Sequence, residues 1–203
     1  MAERRDELIS AALELFSHRS PEDVSIDDVA AAAGASRALV YHYFGGKQEL
    51  YLAALRGAAE QLGELLEPPT DGKPLERLRL SLRRYFDFVE DHAAGFVALM
   101  RGGLANNSGE VGEIIERIRA LLLDRILQAF GLEEPGPVLR ITLRSWMAAV
   151  ETAGLDWLEH RDLSRDELER LLVDHHIVML HVAAQHDPEV SRLFERLTDE
   201  ELA

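Results

Sequence analysis

The chain has 203 residues, 47 % of them apolar and 29 % charged, as in an ordinary globular protein of one large or two small domains. Without a single cysteine it has no disulfide, thiolate zinc site or cysteine nucleophile, and no stretch approaches the roughly 18 unbroken apolar residues of a membrane span. A net charge of -15 argues against a broad basic surface for nucleic acid: residues 1–56 hold six basic and nine acidic groups, net -3, so -12 lies in the rest and any DNA contact must come from a small local cluster.

The segment from Met1 to Glu7 turns amphipathic at once, with no apolar run of a signal peptide, so a cytoplasmic location is expected. Strand-like alternation is missing and helical periodicity runs throughout, which predicts an all-α fold. Leu8, Ala11, Ala12, Leu15 and Phe16 share a face of a first helix from about Glu3 to His18, and Ser20-Pro21-Glu22-Asp23 breaks it. Ser25-Ile26-Asp27-Asp28 reads as a capping box that starts a short helix ending near Ala32. After Ala33-Gly34-Ala35-Ser36 a second short helix runs to Phe44, and Gly45-Gly46 stops it. A long helix over about 47–66 leads into the linker Pro68 to Pro74. Further helices are predicted at about 75–91, 93–104, 110–130, 136–160, 165–186 and 188–201.

The segment Ser25 to Phe44 has helix-turn-helix spacing, with Ile26, Val29, Ala30, Val40 and Phe44 where the two helices must pack. Gly34 suits a turn position of positive φ, and Ser36 can cap the second helix, whose first amides then suit a phosphate. Spacing alone fits an ordinary αα corner as well as a DNA reader. The residues go further. Val29-Ala30, Ala33-Gly34-Ala35-Ser36-Arg37-Ala38-Leu39-Val40-Tyr41-His42-Tyr43-Phe44, Lys47 and Leu50 closely resemble the signature of the TetR family of regulators, I-A-x-x-A-G-V-S-x-G-x-L-Y-x-[YH]-F-x-x-K-x-x-L.

That resemblance implies an N-terminal three-helix DNA-binding domain over 1–48, connected through the helix 47–66, and a helical effector-binding and dimerisation domain over 49–203. It implies that Ser25 and Ser36 hold phosphate through hydroxyl and backbone amide, that Tyr41 donates its phenol to phosphate and that Lys47 adds a point charge there. Arg37, Ala38 and Leu39 fall in the first turn of the recognition helix, which faces base edges; Arg37 suits guanine O6 and N7, and Leu39 a thymine methyl. His42 and Tyr43 lie near the groove edge. Asp27 stands where the family often has a basic or neutral residue, which removes a backbone contact, and Ala35 and Ala38 replace the common Val and Gly. Arg4-Arg5 is the only basic N-terminal arm, so minor-groove reach is small. With so few cations, operator binding is expected to depend shallowly on salt, and a log–log slope as steep as about -10 in a salt titration would contradict this.

In the C-terminal third, Leu139, Leu143, Trp146, Val150, Ala153 and Trp157 recur at 4-3-4-3-4 spacing, and Leu168, Leu172, His175, Met179 and Val182 nearly repeat it. The two seams fit a four-helix bundle across a two-fold axis, as in TetR-like dimers, or the protomer's own core. The resemblance also implies a small-molecule effector pocket, for which Tyr85, Phe86, Phe88, Val89, Phe96, Met100, Arg101, Trp146, Met147 and Glu151 are candidate lining residues; the same apolar cluster also fits a plain core. Arg101 suits either an anionic ligand or a helix C-terminus. His175-His176 and His181 with His186 lack the i, i+4 spacing of paired metal ligands and read as solvated histidines, so no metal or cofactor is expected. No phosphate loop, G-x-S-x-G elbow or H-E-x-x-H occurs, so no enzyme activity is expected. The implied function is a transcriptional regulator, usually a repressor, that binds a near-palindromic DNA operator as a homodimer and leaves it on binding a small-molecule effector, with no membrane partner.

Overall fold

The computed structural model describes the backbone of residues 2–105 and 109–203, and the side chains of 3–100 and 109–203. Among these residues there are ten α-helices, one 3-10 turn and no strand. The helices are α1 Ala2–His18, α2 Ile26–Ala32, α3 Arg37–Phe44, α4 Lys47–Leu65, α5 Pro74–Asp91, α6 Ala93–Ala105, α7 Glu110–Phe130, α8 Pro137–His160, α9 Arg165–Ala184 and α10 Pro188–Leu202. The all-α expectation therefore holds, and helix ends fall close to their sequence-based positions. The break at Pro21–Asp23 is itself a 3-10 turn.

Local chemistry explains these boundaries. Ser25 Oγ accepts from Asp28 N at 3.1 Å while Asp28 Oδ2 accepts from Ser25 N at 2.8 Å, the reciprocal capping box that opens α2. Ser164 and Glu167 repeat the arrangement at α9, and Asp187 caps α10 with Pro188 in its first turn. Gly45, at φ 73°, ends α3 in the left-handed conformation that a side chain would strain. At the end of α8 the same conformation is taken by Arg161, φ 52°, whose guanidinium lies 4.0 Å from the centre of the Trp157 ring.

The helices divide into two compact units, residues 1–64 with 88–118, and residues 65–87 with 119–203. This division differs from one at residue 48, because nearly all of α4, together with α6, joins the N-terminal helices. In the first unit Leu8, Ala12, Phe16, Val29, Val40, Phe44 and Leu50 form a closed core. Gly34 turns the chain between α2 and α3 at φ 58°. Helix α6 comes so close to α1 that a Cβ on Gly95 would sit 3.0 Å from the carbonyl oxygen of Phe16.

In the second unit α9 packs on both α8 and α10. Trp146 Nε1 donates to the Leu172 carbonyl at 3.0 Å and Trp157 Nε1 to the Leu163 carbonyl at 2.9 Å, so both indoles bury their rings with the N–H satisfied. This packing corrects the expected dimer seam. Leu139, Leu143, Trp146, Val150, Trp157, Leu168 and Leu172 are each no more than 6 % exposed within one protomer. A side chain with no accessible area has none to bury against a second copy. Met179 is half-buried, whereas His175 and Val182 are exposed. The large apolar side chains that α8 and α9 leave exposed are Ile141, Leu171, Val178 and Val182.

Candidate nucleic-acid interface and cavity

Helix α3 buries Val40 and Phe44 against α1 and α2 and turns Arg37, Ala38, Tyr41 and His42 outward. Leu39 and Tyr43 are intermediate, and Tyr43 packs its ring against the domain core. Ser36 caps the helix, its Oγ accepting from Leu39 N at 3.2 Å. The hydroxyl hydrogen is not used by that bond, and the first-turn amides of Arg37 and Ala38 have no intrahelical acceptor. An exposed helix N-terminus of this kind suits phosphate.

Ser25 is different. Its N–H and its Oγ–H both point to Asp28 Oδ2, at 2.8 and 2.7 Å. Backbone and side-chain hydrogen bonds from Ser25, helped by Arg19 and Lys47, hold the Asp28 carboxyl below its ordinary range. Ser25 therefore has no donor to offer a phosphate in this arrangement, and its role is to build α2.

Arg37 Nη1 donates to Asp27 Oδ2 at 2.8 Å and Nη2 to Tyr41 Oη at 3.4 Å, with the guanidinium carbon 5.5 Å from the centre of the Tyr41 ring. The Tyr41 hydrogen bond and the Asp27 charge raise the Arg37 pKa further above its ordinary value. The acid at position 27 thus grips the side chain expected to read bases. Asp27→Ala should tighten binding to random duplex, by removing a negative charge, yet lower the specific-to-random affinity ratio about tenfold, within the 1–3 kcal/mol of one bidentate base contact. Fluorescence anisotropy on both duplexes would measure this; an unchanged ratio means that Asp27 does not orient Arg37.

The remaining basic groups are tied into the domain. Lys47 Nζ donates to the Glu22 carbonyl at 3.2 Å, linking the start of α4 to the 3-10 turn. Arg4 Nη2 donates to the Gly34 carbonyl at 2.7 Å, and Arg5 lies over the Phe44 ring at 5.4 Å. Both arginines belong to α1, where they brace the helix-turn-helix.

The second unit contains a cavity of about 460 Å³, bordered by α5, α7, α8, α9, α10 and the linker from Leu66 to Pro74. Of the residues offered as pocket candidates, Tyr85, Trp146, Met147 and Glu151 line it. Phe86, Phe88, Val89, Phe96 and Met100 do not. Phe86 is fully buried with its ring against Trp157, and Phe88, Val89, Phe96 and Met100 belong to the first unit. The Arg101 side chain lies outside the described residues. Sequence reasoning missed Arg125, Phe130, Leu180 and Phe194, which come from helices with no motif to mark them.

It also misplaced His176, which is not solvated but 6 % exposed, against Trp146 with ring centres 4.5 Å apart. Burial pushes its pKa from 6.5 to about 4. The unfolded chain then takes up a proton near pH 6.5 that the folded chain refuses, so stability falls as pH drops from about 6.5 towards 4. His176→Leu should reduce the stability lost between pH 7 and pH 5 by about 2 kcal/mol, measured by urea denaturation at both pH values. An unchanged difference would mean that His176 is not the group responsible.

Residues 8–54 match the family model of bacterial regulatory proteins of the tetR family, and residues 74–179 match the tetracyclin repressor-like C-terminal domain. The chain belongs to the TetR family. A TetR-family transcriptional regulator from Streptomyces coelicolor superimposes with a TM-score of 0.92 at 42 % identity, covering 98 % of this chain and 90 % of that one. The HTH-type transcriptional activator FasR of Mycolicibacterium smegmatis is 30 % identical over 138 residues, 64 % of this chain and 62 % of FasR. The HTH-type transcriptional regulator BetI of Brucella anthropi is 46 % identical over 61 residues, 30 % of this chain and 31 % of BetI. The chain thus spans less than two thirds of these two regulators. Among the described residues no helix is long and apolar enough to cross a membrane.

Proposed function

We propose that this TetR-family chain is a cytoplasmic transcriptional regulator that binds a near-palindromic DNA operator as a homodimer and is released from it by a small molecule in the cavity of the second unit. The observation that carries the reading is α3, a capped helix at the surface of a closed helix-turn-helix core, with Arg37, Ala38, Tyr41 and His42 turned outward. DNA contact falls to Ser36, Arg37, Ala38, Leu39, Tyr41, His42, Tyr43 and Lys47, and the DNA-reading function to residues 1–48. Effector binding and dimerisation fall to 49–203.

The dimer surface is the exposed face of α8 and α9, where Ile141, Leu171, Val178 and Val182 stand out of the protomer with His175 between them. Leu171, His175, Val178 and Val182 follow 4-3-4 spacing, a stripe offset from the buried one. Release follows from population shift: an effector that binds one conformation more tightly favours it, and that conformation no longer fits both half-sites. Where the operator overlaps a promoter, this makes the protein a repressor. A gel shift with genomic fragments tests the reading. A fragment retained against excess random DNA supports it, and no sequence-specific retention overturns it.

A further inference from the structure

The walls of the cavity in the second unit contain charges, and all but that of Glu201, which is held by a backbone amide, face a partner of opposite sign. Arg119 forks onto Glu151 with Nε–Oε1 at 3.0 Å and Nη2–Oε2 at 2.7 Å. Arg77 faces Glu200 at 3.6 Å, Arg125 faces Glu67 at 3.5 Å, and Glu201 accepts from Leu75 N at 3.0 Å. The two wall hydroxyls of Ser81 and Thr198 are spent on carbonyls of their own helices.

Besides Arg125 Nε, which is sealed in the packing, two polar groups are left over. Tyr85 and His176 line the cavity, are 8 % and 6 % exposed, and have no hydrogen-bond partner among the described residues. Neither oxygen nor ring nitrogen is sealed in the packing, since among the described residues Arg125 Nε is the one fully enclosed side-chain polar atom without a partner. Buried polar groups in native proteins are nearly always hydrogen-bonded, so two orphans in the wall of one apolar cavity call for a partner in it. Burial keeps the phenol protonated and the imidazole neutral, which makes both of them donors. A charged guest would have to shed its water among apolar walls, at a cost of several kcal/mol: an anion would meet cations already paired, and a quaternary ammonium, though it could approach Glu201, would leave both donors without an acceptor.

We propose that the effector is an uncharged, largely apolar molecule whose carbonyl oxygen accepts hydrogen bonds from Tyr85 and His176. This rests on the reading of the cavity as the effector site. The cavity, at about 460 Å³, is of ordinary size for a small-molecule pocket. Carboxylate and quaternary ammonium ligands of the same chain length are disfavoured by the same argument.

The test uses the full chain and three probes of equal length, 2-dodecanone, dodecanoate and dodecyltrimethylammonium, below their micellar concentrations. Binding is followed by tryptophan fluorescence, since Trp146 forms part of the wall. The ketone should bind at least tenfold more tightly than either ion, and Tyr85→Phe and His176→Leu should each weaken it about fivefold with helicity unchanged. The proposal is overturned if either ion binds as tightly as the ketone, if the ketone does not bind, or if the double variant binds it undiminished. Should the variants not fold, the three-probe comparison on the unaltered chain decides alone. A ketone that binds yet leaves operator retention unchanged would count against effector release and leave the ligand class standing.

Discussion

Replacing Tyr41 by Phe and Lys47 by Ala together is expected to lower operator affinity at least a thousandfold without dissociating the dimer. Tyr41 is 42 % exposed on the outer face of α3, and its oxygen accepts from Arg37, which leaves the phenolic hydrogen to donate to phosphate. Lys47 gives one hydrogen to the Glu22 carbonyl and keeps two others for the backbone of the DNA. A hydrogen bond to a charged group contributes about 1.5–3 kcal/mol, and a dimer presents both residues twice. Four such contacts come to about 6 kcal/mol, or some four orders of magnitude in affinity, and non-additivity lowers this towards three. Neither side chain is in the buried core, so the fold should persist. Anisotropy on the operator and light scattering on the free protein would measure the two halves of the statement. Retained affinity would mean that other groups hold the phosphates.

A single charge on the outer face of α9 should have an effect of similar size by another route. Val178 is 59 % exposed in the protomer, so Val178→Asp should cost the isolated fold no more than about 0.5 kcal/mol. In a two-fold interface every patch meets its own copy, so the variant sets two carboxylates into an apolar contact. We expect a helical monomer at micromolar concentration. The second half-site is then no longer bound at the effective concentration set by the first, a loss of about 10²–10⁴ in affinity. Sedimentation and anisotropy check this. A variant that remains dimeric would place the interface elsewhere than the stripe of Leu171, His175, Val178 and Val182.

The contrast between the two stripes of α8 and α9 shows where sequence reasoning stops. Leu139, Leu143 and Trp146 form a regular apolar repeat, and so, one step round the helices, do the exposed Leu171, Val178 and Val182. Periodicity marks an apolar stripe without saying what covers it. The packing of α9 on α8 and α10 decides this, because it places Trp146 Nε1 on the Leu172 carbonyl and closes the first stripe inside one protomer. Likewise Tyr85, Phe86 and Phe88 are near neighbours on α5, yet the cavity takes Tyr85, the core takes Phe86, and Phe88 stacks on His92 in the other unit.

The first 50 residues were readable for the opposite reason. The capping box of Ser25 and Asp28, the cap at Ser36 and the left-handed turns at Gly34 and Gly45 each involve groups within a turn of one another. The family signature runs through the same segment, so sequence by itself determined the all-α fold, the helix boundaries and the family. Only the tertiary structure decided that Asp27 grips Arg37, that Ser25 is spent on Asp28, that His176 is buried, and which polar residues line the cavity without partners. Caps and periodicity are set by neighbours along the chain, whereas burial and pairing depend on helices that meet only after folding.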